Sequence, residues 1–336
     1  MTIRLLRGLH NPGLEFFEAK RKCVATIGNF DGVHLGHQAI LHQVIIEAEK
    51  RGLPSLVVIF EPQPLEFFKV KDAPARLMRF REKCQALAQF ELDYIFCLRF
   101  DEALSHLSAQ EFIEKVLINH IQLEHLVVGD DFRFGGDRLG DYALLQRSGK
   151  RHNFTVENTP TVLCTNESGT NEPGTNEQYV NEPEDLPATR ISSSLVRDFL
   201  ARGEFEHAKK VLGRPYEIMG RVIHGQKLGR QLGFPTANIT LQRVKAPFSG
   251  VYLVRLNRSN GQSLDGVANI GVKPTVGNFK PSLEVHLLAF NEDLYGEIVS
   301  VHFLEKLREE KKFNGIEELK SQINIDVASA KQYFDI

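Results

Sequence analysis

The sequence predicts two folded parts, an α/β half with a doubly wound parallel sheet and a smaller antiparallel β-barrel after it. Short apolar runs alternate with amphipathic helices through the first half, which is typical of parallel strands covered by helices on both faces. From Tyr216 onwards, short strands are separated by turns rich in Gly, Asn and Pro, which favours a small barrel. The length of 336 residues is enough for two domains at roughly 100 to 200 residues each. We expect them at residues 1–213 and 214–336.

The first half alternates strand and helix, and its loops converge. Gly52 ends the first predicted helix, and Ser108 with Glu111 forms a capping box that begins the third. The loops GNFDG, FEPQP and GDDFRFG each follow a strand, so they should meet at the carboxyl edge of the sheet. The strands are expected at Val24–Ile27, Leu56–Phe60, Tyr94–Leu98 and Leu126–Val128, and the helices at Gly36–Lys50, Arg76–Phe90 and from Ser108 to about His120.

The second half begins after a segment of different composition. Residues 165–187 repeat a Thr-Asn-Glu-Pro theme with almost no large apolar side chain, which predicts a disordered insertion. A short helix capped by Ser192 or Ser193 follows, then one at Phe205–Leu212 that ends at Gly213. The barrel strands are expected at Glu217–Ile223, Gly250–Leu256, Leu264–Ile270, Leu283–Ala289 and Ile298–Phe303, with a helical tail over Gly315–Phe334.

Composition excludes several classes of function. The formal net charge of −2 gives no basic surface for nucleic acid. No apolar run approaches the ~20 residues that span a membrane, and the opening residues lack a signal-peptide core. The four cysteines form no C-x-x-C pair, which argues against a zinc site or a disulfide framework. We therefore expect a cytoplasmic protein that binds neither nucleic acid nor membrane.

The stretch TIGNFDGVHLGH, from Thr26 to His37, predicts a phosphate-binding loop. A β-branched strand leads into a loop of small residues, and a helix begins directly after it. Loop amides and the positive end of the helix dipole attract anions, and imidazoles add donors. The candidate nucleotide-binding residues are Gly28, Asn29, Phe30, Asp31, Gly32 and Gly36, and the candidate catalytic histidines are His34 and His37.

A second Gly-rich segment, GQKLGRQLGFPTAN, lies near the start of the predicted barrel. Its glycines let backbone amides approach phosphate oxygens, and its basic residues offset their charge. Thr236 and Asn238 lie two apart, so in a strand they point the same way and offer the oxygen ligands that Mg²⁺ favours. Glu284 reads as a barrel-interior carboxylate that accepts a proton from a substrate hydroxyl. The candidate phosphate-binding residues here are Gly225, Lys227, Gly229, Arg230, Gly233 and Pro235.

These motifs carry a family resemblance. The H-x-G-H stretch resembles the signature of the nucleotidyltransferase superfamily, whose sheet is Rossmann-like. The segments GQKLGRQLGFPTAN, GVANIGVKPTVG and LEVHLLAFNEDLYG resemble riboflavin kinase. In this order, nearly the whole chain is similar to the bacterial bifunctional riboflavin kinase/FMN adenylyltransferases (FAD synthetases). The resemblance implies phosphorylation of riboflavin by ATP to FMN, then adenylylation of FMN by ATP to FAD with release of pyrophosphate.

The resemblance also implies residue roles. Thr236 and Asn238 correspond to the pair that holds Mg²⁺ with ATP, and Glu284 to the catalytic base of the kinase. His34 and His37 correspond to the pair that steadies the ATP phosphates, while Ser193 and Arg197 of ISSSLVR match a phosphate-binding motif. Flavin-binding roles are implied for Asp131, Phe132 and Arg308. The implied partners are the small molecules riboflavin, FMN and ATP, with FMN and FAD as intermediate and product.

Two departures from the family pattern and four alternatives stand beside this interpretation. Gln63 occupies a position where the family often has histidine, and Ala289 one where aspartate is common, so neither receives a role. His34 and His37 could instead form a metal pair or an ordinary helix cap. The chain could retain one activity only, or be a flavin-binding protein without catalysis. The presence of His34, His37, Thr236, Asn238 and Glu284 together favours catalysis by both halves.

Overall fold

The computed structural model describes residues 3–8, 22–69, 72–165, 179–181, 189–225, 228–275 and 278–336. Contacts between Cα atoms divide the chain into two compact units. The first comprises residues 1–74 and 80–192, and the second comprises Ala75–Arg79 with Ser193–Ile336. The two helices before Gly213 thus belong with the barrel by their contacts. The functional boundary expected at residue 213 stays a prediction.

The first unit contains a six-stranded parallel sheet in the order β1-β4-β3-β2-β5-β6. Strand β2 is buried along its whole length, as expected for a parallel sheet with both faces covered. The sequence reading found the four inner strands and missed both edge strands. The strands are β1 (Arg4–Arg7), β2 (Cys23–Ile27), β3 (Ser55–Glu61), β4 (Tyr94–Arg99), β5 (Leu123–Gly129) and β6 (Thr155–Thr159).

Helices cover this sheet, and two of the helix predictions need correction. Ser108 caps the third predicted helix as expected, but only one α-helical turn follows before a π-helical segment at Ile113–Ile118. The helix over residues 142–152 was missed. The helices are α1 (Leu35–Arg51), α2 (Pro64–Phe68), α3 (Phe80–Leu87), α4 (Glu102–Ser105), α5 (Ala109–Phe112) and α6 (Tyr142–His152).

The prediction of a helix over Arg76–Phe90 is wrong at its beginning. Ala75–Arg79 belongs to the second unit, whose side chains bind its carbonyl groups instead of helical amides. The Tyr216 hydroxyl donates to the Leu77 carbonyl at 3.0 Å, and Arg243 Nη1 donates to the Arg76 carbonyl at 3.2 Å. Tertiary hydrogen bonds therefore replace the first turns of the predicted helix.

A small sheet follows in the first unit, β7 (Leu163–Thr165), β8 (Tyr179–Asn181) and β9 (Thr189–Arg190), in the order β8-β7-β9. Strand β8 pairs in parallel with β7. The prediction that residues 165–187 are disordered is therefore wrong for Tyr179–Asn181 and for Thr165. The rest of that segment lies outside the described residues.

The second unit contains a closed six-stranded barrel in the order β10-β11-β14-β13-β12-β15, with antiparallel pairing throughout. The strands are β10 (Glu217–Ile223), β11 (Thr236–Ile239), β12 (Gly250–Arg258), β13 (Ser263–Thr275), β14 (Asn278–Leu287) and β15 (Ile298–Arg308). The helices of this unit are α7 (Ser193–Arg202), α8 (Phe205–Leu212), α9 (Leu228–Gln231) and α10 (Ile316–Tyr333). The predicted fold class, a parallel α/β sheet followed by an antiparallel barrel, is confirmed.

The C-terminal helix α10 packs against the outside of the barrel. Val251 and Val267 of the barrel wall form a hydrophobic cluster with Ala330 and Val327 of the helix. Burial of such apolar surface contributes about 25 cal/mol per Å² to stability. The helix therefore covers the outer face of β12 and β13.

Candidate active sites

The predicted phosphate loop leaves the sheet where its strand order reverses. Strand β2 lies between β3 and β5, so the chain crosses to one side after β2 and later returns to the other. In open α/β sheets, ligands bind at this switch point, beyond the carboxyl ends of the strands. The Gly28 amide donates to the Val58 carbonyl at 3.1 Å, which extends the β2–β3 pairing to the first residue of the loop.

His34 is the N-cap of α1, and its ring nitrogens have distinct roles. The amide of His37 donates to His34 Nδ1 at 3.3 Å. Because Nδ1 accepts a hydrogen bond, the neutral ring carries its proton on Nε2. The rings of His34 and His37 stack with centroids 3.7 Å apart, and Phe30 packs on His37 at 4.9 Å. The two imidazoles therefore stand together at the positive end of the α1 dipole.

The loop between β2 and α1 has an unusual backbone. Phe30 and Val33 have φ of 46° and 42°, a region that bulky and β-branched residues rarely adopt. Both side chains are buried, at 1% and 0% exposure. Such strain persists only where surrounding packing determines the conformation, and it concentrates at functional sites. Phe30 thus supports the loop from below, while Gly28 and Asn29 are more accessible.

Gly36, the third residue of H-x-G-H, is required by close packing. A Cβ at this position would lie 3.3 Å from the His34 ring and 3.4 Å from the Ile191 carbonyl. A Cβ at this position would require the His34 ring to shift by a few tenths of an ångström. The glycine therefore keeps the capping histidine in place.

Lys83 of α3 was missed by sequence reasoning and lies beneath the phosphate loop. Its side chain is fully buried, at 0% exposure, and its ammonium donates to the Asn29 carbonyl. A buried lysine is costly unless its charge is paired or hydrogen-bonded. No short motif marked this residue, because it lies 54 residues from its acceptor.

The GDDFRFG segment begins at Gly129, the last residue of β5, and Arg190 pairs with its two aspartates. Arg190 Nη2 lies 2.7 Å from Asp131 Oδ1 and 3.5 Å from Asp130 Oδ1. The hydrogen bond that Arg190 donates to the Asp131 carboxylate raises the pKa of Arg190. The ring of Phe132 stacks on Phe134 at 5.5 Å. The two predicted flavin-binding residues, Asp131 and Phe132, therefore lie on a segment fixed at the carboxyl end of the sheet.

A group of phenylalanines at this same edge was also missed. Phe60 lies next to the last residue of β3, and Phe100 directly follows β4. The rings of Phe60, Phe67 and Phe68 pack on Phe100 at 5.8, 5.5 and 5.7 Å. Phe68 is 57% exposed. The sequence signal was the FEPQPLEFF run, whose aromatic residues were not weighed. They form an apolar surface at the carboxyl edge of the sheet.

In the second unit, strand register brings the predicted kinase residues together. On β11 and β14, Thr236 lies opposite His286 and Asn238 opposite Glu284. On the other side, Asn269 of β13 lies opposite Glu284. Because directly opposed residues point to the same face of a sheet, these five side chains form one polar group on the barrel wall.

The prediction that Glu284 points into the barrel interior is wrong. Its chain neighbours Leu283 and Val285 fill the interior, at 1% and 0% exposure, and strand residues alternate between faces. Glu284 is half-buried on the outer face, which α10 covers nearby. A carboxylate there lines a cavity instead of replacing an apolar core residue.

One cavity of the second unit has a volume of about 380 Å³ and is lined by several of the predicted nucleotide-binding residues. Thr236 and Asn238 line it, together with Gly225, Arg230 and Pro235. The loop after β14 completes its wall with Phe290–Tyr295, residues to which the sequence reasoning gave no role. Ala289, directly before this loop, has φ of 50°, a conformation that aspartate tolerates better than alanine.

The residues at this cavity fit a magnesium ion bound with ATP. A Cβ on Gly225 would lie 2.4 Å from the Asn238 carboxamide, so the Gly225 backbone passes directly against that side chain. Asn238 Nδ2 donates to the Thr236 carbonyl at 3.3 Å, which leaves Oδ1 as an oxygen ligand. A hydroxyl and a carboxamide oxygen from one strand are hard ligands of the kind Mg²⁺ takes, with water and phosphate oxygens in its remaining positions.

A second cavity, of about 270 Å³, lies between the barrel wall and the C-terminal segment. Glu284, His286 and Asn269 line its polar side. Apolar side chains of the barrel and of α10 line the other side, namely Val251, Val267, Leu319, Ile323 and Val327. Thr236 belongs to the walls of both cavities. The two cavities therefore meet at the first residue of β11.

Arg308 lines the second cavity, and Asp326 of α10 holds it. Arg308 Nε donates to Asp326 Oδ1 at 2.9 Å, and Nη2 donates to Oδ2 at 2.8 Å. Gln322 also donates to Oδ1 at 3.0 Å, and Asp326 is only 6% exposed. Bidentate charged hydrogen bonds of this kind fix the plane of the guanidinium. Asp326 was missed because it lies 18 residues beyond Arg308 in an unremarkable helix.

The remaining predicted residues lie as follows. Ser193 begins α7, and Arg197 of the same helix donates through Nε to the Ala75 carbonyl at 2.6 Å. Both belong to the second unit, whereas His34 and His37 belong to the first. Lys227 lies outside the described residues. Gly229 lines the second cavity, and Gly233 has φ of 91° in the same segment.

Glu47, His125 and Glu157 form a separate cluster within metal-ligand spacing in the first unit. Arg51 already pairs with Glu47, and its Nη2 lies 3.2 Å from His125 Nδ1. Burial lowers the pKa of His125. A guanidinium among the ligand atoms opposes a second cation, so this cluster is a structural ion network.

Comparisons with known proteins agree with this architecture. The family model of FAD synthetase matches residues 16–171, and that of riboflavin kinase matches residues 212–334. The chain is 49% identical over 330 residues to a bifunctional riboflavin kinase/FMN adenylyltransferase of Pseudomonas fluorescens, covering 98% of this chain and 97% of the relative. It is 44% identical to the protein of that name from Escherichia coli K12, over 99% of each chain.

The chain belongs to the bifunctional riboflavin kinase/FMN adenylyltransferase family. The resemblance drawn from the sequence motifs is thereby confirmed. A crystal structure described as a macrolide-efflux protein from Streptococcus pneumoniae superposes with a TM-score of 0.70 at 26% identity, covering 98% of this chain and 99% of that one. Within the described part of the chain, no helix combines the length and apolar character needed to cross a bilayer.

Proposed function

We propose that the second unit phosphorylates riboflavin with ATP and that the first unit adenylylates the resulting FMN to FAD. The observation that carries the kinase assignment is that Thr236 belongs to the walls of both cavities, with Glu284 in the second. A phosphoryl donor and an acceptor in adjoining cavities meet at that residue. The family membership supports the same pair of reactions.

In the kinase reaction, riboflavin occupies the 270 Å³ cavity, with its ring against the apolar residues of α10 and the barrel. Glu284 accepts the proton of the 5′-hydroxyl as that oxygen attacks the γ-phosphorus of ATP, and ADP leaves. Thr236 and Asn238 would hold Mg²⁺, which would neutralise charge on the phosphate oxygens. Gly225, Arg230 and Pro235 line the ATP phosphates, and Arg308 orients the flavin.

In the adenylyl transfer, a phosphate oxygen of FMN attacks the α-phosphorus of a second ATP, and pyrophosphate leaves. His34 donates from Nε2 to a phosphate oxygen, a tautomer that the hydrogen bond at Nδ1 supports. His37 donates beside it, and the α1 dipole adds positive potential. Ser193 and Arg197 stay predicted phosphate ligands, on the resemblance of ISSSLVR to a phosphate-binding motif. Asp131 and Phe132 are proposed flavin contacts, and the exposed Phe68 offers further apolar surface at the same edge of the sheet.

The test is a time course of purified protein with riboflavin, ATP and Mg²⁺, in which riboflavin, FMN and FAD are separated by chromatography. We expect FMN to form first and then to convert to FAD with release of pyrophosphate. Accumulation of FMN without FAD, even when FMN is supplied, would contradict the assignment of the first unit. Absence of any flavin product would contradict both. A cytoplasmic location is also proposed, supported by the ATP that both reactions consume.

A further inference from the structure

We infer that His286 is a positioning residue of the kinase site, which holds the segment carrying Thr236 in register with Glu284. The inference rests on the proposed function of the second unit. It concerns a residue that no sequence motif singled out, on the strand that also carries Glu284.

The location of His286 is the first support. It lies two residues after Glu284 on β14, so both side chains point to the same face, and both line the 270 Å³ cavity. Its partner across the strands is Thr236, which lines both cavities. His286 is therefore the direct neighbour of the proposed metal ligand and of the proposed base.

The hydrogen bond of its ring is the second support. His286 Nδ1 lies 2.9 Å from the carbonyl oxygen of Pro235. A carbonyl only accepts, so Nδ1 carries the proton and donates. The acceptor belongs to the residue directly before Thr236. Proline has no amide hydrogen, so Pro235 cannot donate a backbone hydrogen bond to β14. The hydrogen bond from the His286 ring therefore joins Pro235 to β14 where backbone pairing cannot.

The surroundings of the ring restrict its motion. Phe234 packs edge-on against His286 with ring centroids 5.5 Å apart and an interplanar angle of 83°. The Phe234 amide donates to the Gly229 carbonyl at 2.8 Å, so the segment folds back on α9 itself. The imidazole thus joins Phe234 and Pro235 to β14 just before β11 begins. Loss of this contact would free the Pro235–Thr236 segment while leaving Glu284 in place.

The test compares three substitutions that differ in where they place an N–H group. His286→Asn keeps a donor at the position of Nδ1, whereas His286→Gln places its donor one bond farther from the backbone. His286→Ala removes the donor. Steady-state kinase assays would vary Mg·ATP at saturating riboflavin, then riboflavin at saturating Mg·ATP. The adenylyltransferase rate and the thermal unfolding of each variant show whether the protein is still folded. His207→Ala is the matched histidine control, because His207 lies on α8 and lines neither cavity.

We expect the Ala and Gln variants to lose roughly fivefold to tenfold in kcat/KM for Mg·ATP, the effect of one net hydrogen bond. The KM for riboflavin should change by less than about twofold, and the Asn variant should recover most of the loss. An Asn variant as impaired as the Ala variant would overturn the inference. So would a loss confined to the KM for riboflavin, since the ring would then act on the flavin.

A Glu284→Ala variant in the same assays distinguishes failure of the proposed function from failure of the inference about His286. Full kinase activity of that variant contradicts the proposed function, whereas its inactivity beside a fully active His286→Ala contradicts only the inference.

Discussion

The two candidate sites of this chain are assembled in opposite ways. In the first unit, one loop and one helix N-terminus supply His34, Gly36 and His37 within four consecutive residues. In the second unit, the polar group on the barrel wall comes from three strands, with Thr236 and Asn238 on one, Glu284 and His286 on another, and Asn269 on the third. The first site depends on local backbone conformation, and the second depends on strand register.

This difference determines what disturbs each site. A change beneath the loop should alter adenylyl transfer because the backbone at Phe30 and Val33 is held by its surroundings. A change in the barrel wall should alter the kinase because a displaced strand moves every side chain that it carries. The following predictions use this contrast, from the largest expected effect to the smallest.

Removal of the Lys83 ammonium should disturb the loop-based site. Lys83→Met keeps an unbranched side chain in the buried position but leaves the Asn29 carbonyl without this donor. Loss of a hydrogen bond from a charged donor costs about 1.5–3 kcal/mol, so we expect FAD formation from FMN to fall roughly tenfold to a hundredfold. The measurement is the initial rate of FAD formation from FMN, with the kinase rate taken on the same protein.

Arg81→Met is the matched control, because Arg81 lies on the same helix and is exposed. It should leave both rates within about twofold, the ordinary effect of a surface substitution. Equal loss of both activities in Lys83→Met, with the protein still folded by circular dichroism, would contradict a loop-specific role.

Removal of the Asp326 charge should weaken the binding of riboflavin to the second unit but not the binding of ATP. Asp326→Asn preserves size but loses the bidentate acceptor that fixes Arg308. We expect the KM for riboflavin to rise about tenfold, equal to about 1.4 kcal/mol, because the charged pair sets the guanidinium plane. The KM for ATP should change by less than about twofold, which steady-state kinetics with each substrate varied in turn would show.

Glu317→Gln offers the control for that experiment, since Glu317 is an exposed carboxylate on the same helix. An equal rise in both KM values for Asp326→Asn would mean that the helix had shifted as a whole. That result would contradict a specific effect on Arg308.

A smaller, pH-dependent effect is expected on the stability of the barrel. His302 Nε2 lies 2.7 Å from Glu217 Oε2 between β10 and β15, and this hydrogen bond lowers the pKa of Glu217. A carboxyl with a lowered folded-state pKa stabilises the fold above its unfolded-state pKa, and the contribution is lost as pH falls through the lowered value. Because the side chain is 35% exposed, screening keeps the effect below about 1 kcal/mol.

Urea unfolding of Glu217→Gln and of the parent protein at decreasing pH tests this sign. We expect the parent to be more stable at neutral pH and the difference to vanish in acid. A difference that stays constant with pH would show that the pair contributes by packing and not by charge. The adenylyltransferase rate should be unaffected throughout.

The contrast between the sites also explains what the sequence could predict. The H-x-G-H loop was predictable because its functional groups are consecutive and follow an apolar strand. Thr236, Asn238 and Glu284 were predictable from motif resemblance, but Glu284 was placed on the wrong face because only the register and the burial of Leu283 and Val285 show which side is interior.

Other residues could not be predicted because their partners are distant in sequence. Lys83 meets its acceptor 54 residues away, and His286 meets the Pro235 carbonyl 51 residues away. The helix over Arg76–Phe90 failed for the same reason, since side chains from the second unit bind the carbonyls of Arg76 and Leu77. Local pattern has no information about such contacts.

The central claim is that two separate sites perform two successive reactions, and a pair of crossed variants tests it most directly. The rate of FMN formation from riboflavin and the rate of FAD formation from FMN would be measured for His37→Ala, Glu284→Ala and the parent protein under the same conditions. We predict that His37→Ala lowers FAD formation by about 10²–10³, the usual effect of a lost transition-state donor, and leaves FMN formation near the parent rate. Glu284→Ala should show the reverse pattern. A folded variant of either kind that loses both activities equally would contradict independent sites.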